Sequence, residues 1–278
     1  MPLQILQPKD VLALDHVRIG IYGRNGTGKS TLASTLDVNT LVVSVDDEAV
    51  RPYMHKPNMR VAKIRRWNDV MDVYDIVSSS KSGIQALVWD TWSRVQDLAL
   101  GKVCGYEPSD PAKLRAYIDR IPNSPQGWQG WNQIGALCAE WQRNFNLLPV
   151  HIIYLMQEND REIRLGEEER LLQTGPRLTP YALTGIRDSV EILGRLYVDV
   201  ESGTQAGDDD APPVLNLEEG KSSHIPENAR EVRKLFIGQH DRFLAKGPTH
   251  VLGRIVRDPT WSKLTEPLIH RNGLVKQT

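Results

Sequence analysis

Three short stretches carry side chains suited to phosphate chemistry. The first, Gly23-Arg-Asn-Gly-Thr-Gly-Lys-Ser30, matches the phosphate-loop pattern G-x-x-x-x-G-K-[ST] at every fixed position. Glycines in such a loop let main-chain N–H groups curl around phosphate oxygens at φ values that a side chain forbids. Lys29 can reach the β- and γ-phosphates of a nucleotide and Ser30 can ligate Mg²⁺. Gly23, Arg24, Asn25, Gly26, Thr27, Gly28 and Thr31 make up the rest of the expected nucleotide contacts. The second stretch, Thr40-Leu-Val-Val-Ser-Val-Asp-Asp-Glu48, ends an apolar run in three carboxylates. Active groups gather at the carboxyl ends of strands in open α/β sheets, so Glu48 is placed to activate a water beside a γ-phosphate. Asp46 and Asp47 could serve as metal shell or helix cap, and capping by all three is the plainer alternative. The third stretch, Gly83-Ile-Gln-Ala-Leu-Val-Trp-Asp90-Thr91, ends in an aspartate suited to holding Mg²⁺, directly or through water.

These groups need strands and helices to bring them together. His16–Tyr22 alternates and is rich in β-branched residues, as a strand before the glycine loop should be, and Thr31–Leu36 reads as a helix after it. The start of that helix adds partial positive charge to the same spot. Further strands are expected at Leu41–Val45, at Arg60–Trp67, before Asp90, over Leu147–Met156, at Arg195–Val200 and at Val214–Leu217. Helices are expected over Asn68–Ser79, Trp131–Asn146, Ala182–Leu193 and Pro226–Lys246, the last bounded by Pro226 and Gly247. The alternation predicts an α/β fold with a mostly parallel sheet flanked by helices. Gln157 leaves the Leu147–Met156 strand where a polar amide could sense a γ-phosphate.

Composition narrows the classes. The 278 residues are 40% hydrophobic, enough for a sizeable core, and no run approaches the ~18 apolar residues of a membrane helix. No signal peptide is expected from Met1–Asp10. Cys104 and Cys138 stand alone, without zinc or disulfide spacing, which suits a cytoplasmic protein. The net charge of −1 is uneven: residues 221–278 hold 11 Lys/Arg against 5 Asp/Glu, leaving residues 1–220 at −7. A basic C-terminal extension on an acidic body could meet nucleic acid or a neighbouring subunit. Residues 101–130 combine Lys102, Lys113, Arg115 and Arg120 with Trp128, and Trp131 follows directly, a mixture that single-strand grooves use, though both tryptophans could equally pack the loop down. Residues 158–177 are highly charged, as an exposed hairpin or a ligand-ordered loop would be.

The order of these motifs resembles the RecA-type recombinase core. The resemblance is closer still to short phage nucleotide-binding proteins, RecA-like single-strand annealing proteins among them. It covers about residues 15–240 and is carried by the phosphate loop, Val88-Trp-Asp-Thr91, Pro149-Val-His-Ile-Ile-Tyr154 and Leu178-Thr-Pro-Tyr-Ala-Leu-Thr-Gly185. It implies a RecA-like ATPase core over 1–220, a basic C-terminal helix and tail over 221–278, and ATP and Mg²⁺ as cofactors. By the same resemblance Glu48 is the base and Gln157 couples nucleotide to DNA-binding loops within 101–130 and 158–177. Lys221 would be a charge offered to a neighbouring subunit. Single-stranded DNA, a homo-oligomeric ring or filament, and phage recombination or replication proteins are the implied partners. Two rival classes fit the same loop: a small-molecule kinase, with Arg161, Arg164 and Arg170 on a lid, and an ATP-dependent switch that recruits a protein.

Overall fold

The computed structural model describes residues 16–105, 125–164, 170–202 and 229–269. Strand β1 (Arg18–Gly23) enters the phosphate loop, and helix α1 (Lys29–Ala33) leaves it. Strand β2 (Thr40–Ser44) leads to a 3₁₀ helix (Asp47–Tyr53), strand β3 (Met59–Lys63) and helix α2 (Asp69–Ser78). Strand β4 (Ala86–Asp90), helix α3 (Trp92–Val103) and helix α4 (Pro125–Asn146) follow. A long β5 (His151–Arg164) turns back as β6 (Arg170–Pro176), before helix α5 (Pro180–Ser189) and strand β7 (Ile192–Ser202). Strand β8 (Ala229–Phe236), helix α6 (Thr249–Leu252), strand β9 (Ile255–Arg257) and helix α7 (Trp261–Ile269) complete the described chain.

The sheet runs β3-β2-β4-β5-β1-β7-β8-β9, with β6 paired to β5. Neighbours from β3 to β7 are parallel, and β8 and β9 add an antiparallel edge. Both faces are covered, which is why the central strands read as near-continuous apolar runs. Leu87, Trp89, Tyr154 and Met156 face one core, closed by α2 to α5. Val88, Ile153, Leu155 and Ile21 face the other, closed by α1 and α7 through Leu32, Ala33, Trp261 and Leu264. Among the described residues, no helix is long and apolar enough to cross a membrane.

The described residues correct some expectations and decide between the alternatives in others. The helix expected over Pro226–Lys246 is, from Ala229, strand β8, paired with β7 in the register Ser202↔Ala229 to Arg195↔Phe236. Val232, Leu235 and Phe236 mimic helical spacing because the sheet is covered on both sides, so consecutive residues 235 and 236 are both buried. Within the stretch expected to be irregular over 101–130, residues 101–103 belong to α3 and residues 125–130 to α4. Trp131 packs against the core of the α2–α5 face, as in the structural alternative. The charged 158–177 segment is a hairpin, β5 pairing β6 from Glu158↔Pro176 to Arg164↔Arg170. The expected strand at Val214–Leu217, Lys221 and the central part of 101–130 lie outside the described residues.

Candidate nucleotide site

The strand order assembles the site. β5 lies between β1 and β4, so Gln157 pairs in register with Gly23 while Asp90 pairs with Leu155 two residues back. Ser44 pairs with Asp90, which sets the three carboxylates after β2 beside the end of β4. The result is an open cavity of about 710 Å³ at the carboxyl ends of the strands. Asn25, Gly26, Gly28, Lys29, Ser30 and Thr31 line one side of it, and Asp46, Asp47, Glu48, Asp90, Thr91 and Gln157 line the rest. Gly23, Arg24 and Thr27 do not line the cavity but shape the loop. Thr27 Oγ1 donates to the Arg24 carbonyl at 3.0 Å, and a Cβ on Gly23 would run into the Leu196 carbonyl of β7.

Gly26 and Gly28 take φ of 83° and 91°, left-handed conformations that favour glycine. Helix α1 is only five residues long, so its dipole is small, and anion binding here rests on loop N–H groups and Lys29. Lys29 is buried and folded back onto its own loop, Nζ donating to the carbonyls of Gly23 at 2.8 Å and Arg24 at 2.7 Å. Burial lowers its ammonium to about 8, against the opposing pull of Asp90 and Glu158. An anion in the loop would give this desolvated cation a close ion-pair partner, which it does not have among the described residues.

Asp90 is 2% exposed. Burial raises its carboxyl, opposed by hydrogen bonds from Ser30 and Tyr53 and by the Lys29 charge. The Tyr53 hydroxyl donates to Asp90 Oδ2 at 2.8 Å and ties the 3₁₀ helix to β4. Mg²⁺ is held by one or two carboxylates, waters and substrate phosphates rather than by an all-protein cage. The donors present fit that habit: the Asp90 carboxylate, the adjacent Ser30 hydroxyl, and a buried Thr91 Oγ1 without a hydrogen-bond partner. Among the described residues no group of three His, Cys, Asp or Glu could hold a metal on its own.

The three carboxylates after β2 separate by their partners. Asp46 accepts from Arg94 Nε at 3.2 Å, and Asp47 from Lys63 Nζ at 2.7 Å, the latter pair holding the Asp47 carboxyl below its ordinary range. Glu48 is exposed at the cavity wall with no ion pair among the described residues. Asp46 is the N-cap residue of the 3₁₀ helix and makes no side-chain cap hydrogen bond, while Asp47 and Glu48 lie in its first turn.

Gln157 is held at both ends of its peptide units. Its N–H donates to Ser93 Oγ at 3.1 Å, and its carbonyl accepts from the Arg177 N–H at 2.7 Å. The next residue, Glu158, is buried between Arg24 of the phosphate loop at 2.9 Å and Arg195 of β7 at 3.1 Å. Asp97 joins Arg94 at 3.4 Å to Arg177 at 3.0 Å. Arg94, Arg51, Tyr53 and Glu158 were missed in the sequence. Only Arg94 carried a signal there: it follows Thr91 by one helical turn, and its N–H donates to the Thr91 carbonyl at 2.9 Å.

A parallel sheet with a phosphate loop after its central strand, an aspartate at the end of a second strand and a carboxylate after a third defines a P-loop nucleoside triphosphatase. Residues 15–248 match the sequence profile of the AAA domain family (AAA_24), and the chain belongs to that family. Membership brings ATP binding and hydrolysis as the family activity. No curated protein matches the chain.

Proposed function

We propose that the chain is a Mg²⁺-dependent ATPase of the RecA-like kind that acts, as a ring or filament, on single-stranded DNA in phage recombination or replication. The hydrolytic part rests on one observation: Glu48 faces the cavity of Lys29, Ser30 and Asp90 unpaired, while Asp46 and Asp47 are held by cations. Ser30 and Asp90 would hold Mg²⁺, which supplies charge neutralisation to the phosphates when bound. Lys29 and the loop N–H groups bind and orient the phosphate chain. Glu48 accepts a proton from the attacking water as its oxygen bonds to the γ-phosphorus. The bond from that phosphorus to the bridging oxygen breaks, and the oxygen leaves with the electron pair on ADP. Gln157 pairs in register with the first loop glycine, which supports reading it as the group that registers whether the γ-phosphate is present.

The DNA part is supported by the β5–β6 hairpin, which grows directly out of Gln157 and carries Arg164 and Arg170. A kinase lid is disfavoured because the Arg161 guanidinium is engaged by the carbonyls of Pro176 and Leu178 at the hairpin root. The test is steady-state ATP hydrolysis with and without a single-stranded oligonucleotide, with Lys29→Ala as the inactive control. Glu48→Gln is expected to lower kcat by about 10²- to 10⁴-fold with nucleotide binding retained. Unchanged turnover in that variant overturns the base assignment and favours the switch. Hydrolysis indifferent to DNA overturns the DNA part.

A further inference from the structure

Besides Lys29, two cationic side chains line the cavity, Arg51 and Arg94. Arg51 is exposed on the 3₁₀ helix. Arg94 is different: its side chain is 17% exposed and its main chain is fixed one turn into α3, directly after the Asp90–Thr91 strand end. A guanidinium has five N–H donors. Among the described residues Arg94 has two engaged, Nε by Asp46 at 3.2 Å and Nη1 by Asp97 at 3.4 Å. The Asp97 contact is long, and Asp97 is shared with Arg177 at the shorter distance of 3.0 Å. Asp46, in turn, is 41% exposed, so water competes for the other bond. Arg94 is therefore a planar cation inside the site, loosely held by carboxylates that neutralise it.

We infer that Arg94 is a catalytic residue acting within its own chain: it donates to the γ-phosphoryl oxygens as negative charge redistributes over them during hydrolysis. This rests on the proposed ATPase reading and deepens it. Phosphoryl transfer depends on positioned positive charge more than on covalent chemistry by the protein, and an arginine supplied in the same chain is one of its known solutions. Bidentate geometry suits guanidinium to phosphate better than the lone Asp46 oxygen that it meets here. Exchange of Asp46 for phosphate keeps Arg94 paired throughout, so its charge is never left uncompensated in a half-buried place.

The test separates cis from trans action and from a merely structural role. Arg94→Ala and Arg94→Lys are compared with the wild type for kcat, for ADP affinity by calorimetry, and for the gain in affinity when aluminium fluoride is added to ADP. The expected result is a fall in kcat of about 10²- to 10³-fold for Arg94→Ala. ADP affinity should stay within about threefold, and the fluoride-dependent gain should be lost. Arg94→Lys, which keeps the charge and both carboxylates paired, should fold like the wild type and still lose most of the gain, since it lacks the planar fork. Mixing Arg94→Ala with Lys29→Ala should restore nothing, because no single chain then has both groups. Recovery of turnover on mixing, or a wild-type fluoride gain in Arg94→Ala, overturns the inference. A wild type that binds no ADP overturns the ATPase reading itself.

Discussion

Lys29 gives the most direct check on the electrostatics of the site. Its side chain is buried, and burial lowers its ammonium from 10.5 to about 8 despite Asp90 and Glu158. In the unfolded chain the amine titrates at its ordinary value. Carrying the charge in the folded chain therefore costs about 3 kcal/mol at neutral pH, since one pK unit is worth about 1.36 kcal/mol. The folded amine releases its proton first as pH rises. The penalty is thus full below about 8, shrinks above it and is gone near 10.5. Hydrogen bonds to the Gly23 and Arg24 carbonyls return about 1 kcal/mol each. Lys29→Met removes the charge and those bonds while keeping an unbranched side chain in the space. We expect the variant to be more stable than the wild type by about 1 to 3 kcal/mol at neutral pH, a Tm rise of about 2 to 10 °C for a chain this size. It should bind no nucleotide, a trade of stability against function. Urea titrations of both proteins at pH 7 and at about pH 9.5 read the difference directly. A wild type more stable than the variant at pH 7, or a gap that does not narrow at the higher pH, refutes the argument.

Two further perturbations test the supports of the loop. Glu158→Ala strands Arg195, whose side chain is 7% exposed, and frees Arg24. The loss should be about 3 kcal/mol in urea, at the low end for a broken buried pair because the Phe243 ring lies 4.4 Å under the guanidinium; a loss below about 1 kcal/mol would show that the pair is solvated. Tyr53→Phe removes the hydroxyl that donates to buried Asp90 and should cost about 1.5 to 3 kcal/mol, because the acceptor is a carboxylate. The Asp90 carboxyl then moves further above its ordinary range, so Mg²⁺-dependent ATP affinity should fall more steeply below neutral pH than in the wild type. Parallel pH profiles would remove Tyr53 from the metal site.

Much of the centre of this protein could be read locally. The phosphate loop is legible because its chemistry needs glycines, a lysine and a serine at fixed spacing within one turn of chain, and no distant partner alters that need. β1, β2 and β4 are legible because strands buried on both faces are largely apolar and give way abruptly to other residue types: the glycine loop from Gly23, Asp46 shortly after β2, and Asp90 at the end of β4. The same burial hid β8, where apolar neighbours on both faces erased the two-residue period and left a spacing that suits a helix. Glu48 and Gln157 could be named from the ends of their strands, but their freedom could not. That Asp46 and Asp47 are neutralised and Glu48 is not depends on Arg94 and Lys63, 48 and 16 residues away from their partners. Tyr53 meets Asp90 across 37 residues, and Glu158 joins the phosphate loop to β7 across 134 and 37. Local sequence determined which groups could do chemistry, because motif and periodicity are short-range properties. Only the tertiary structure decided which of them are charged, paired or free, because those states depend on burial and on partners that the strand order brings into contact.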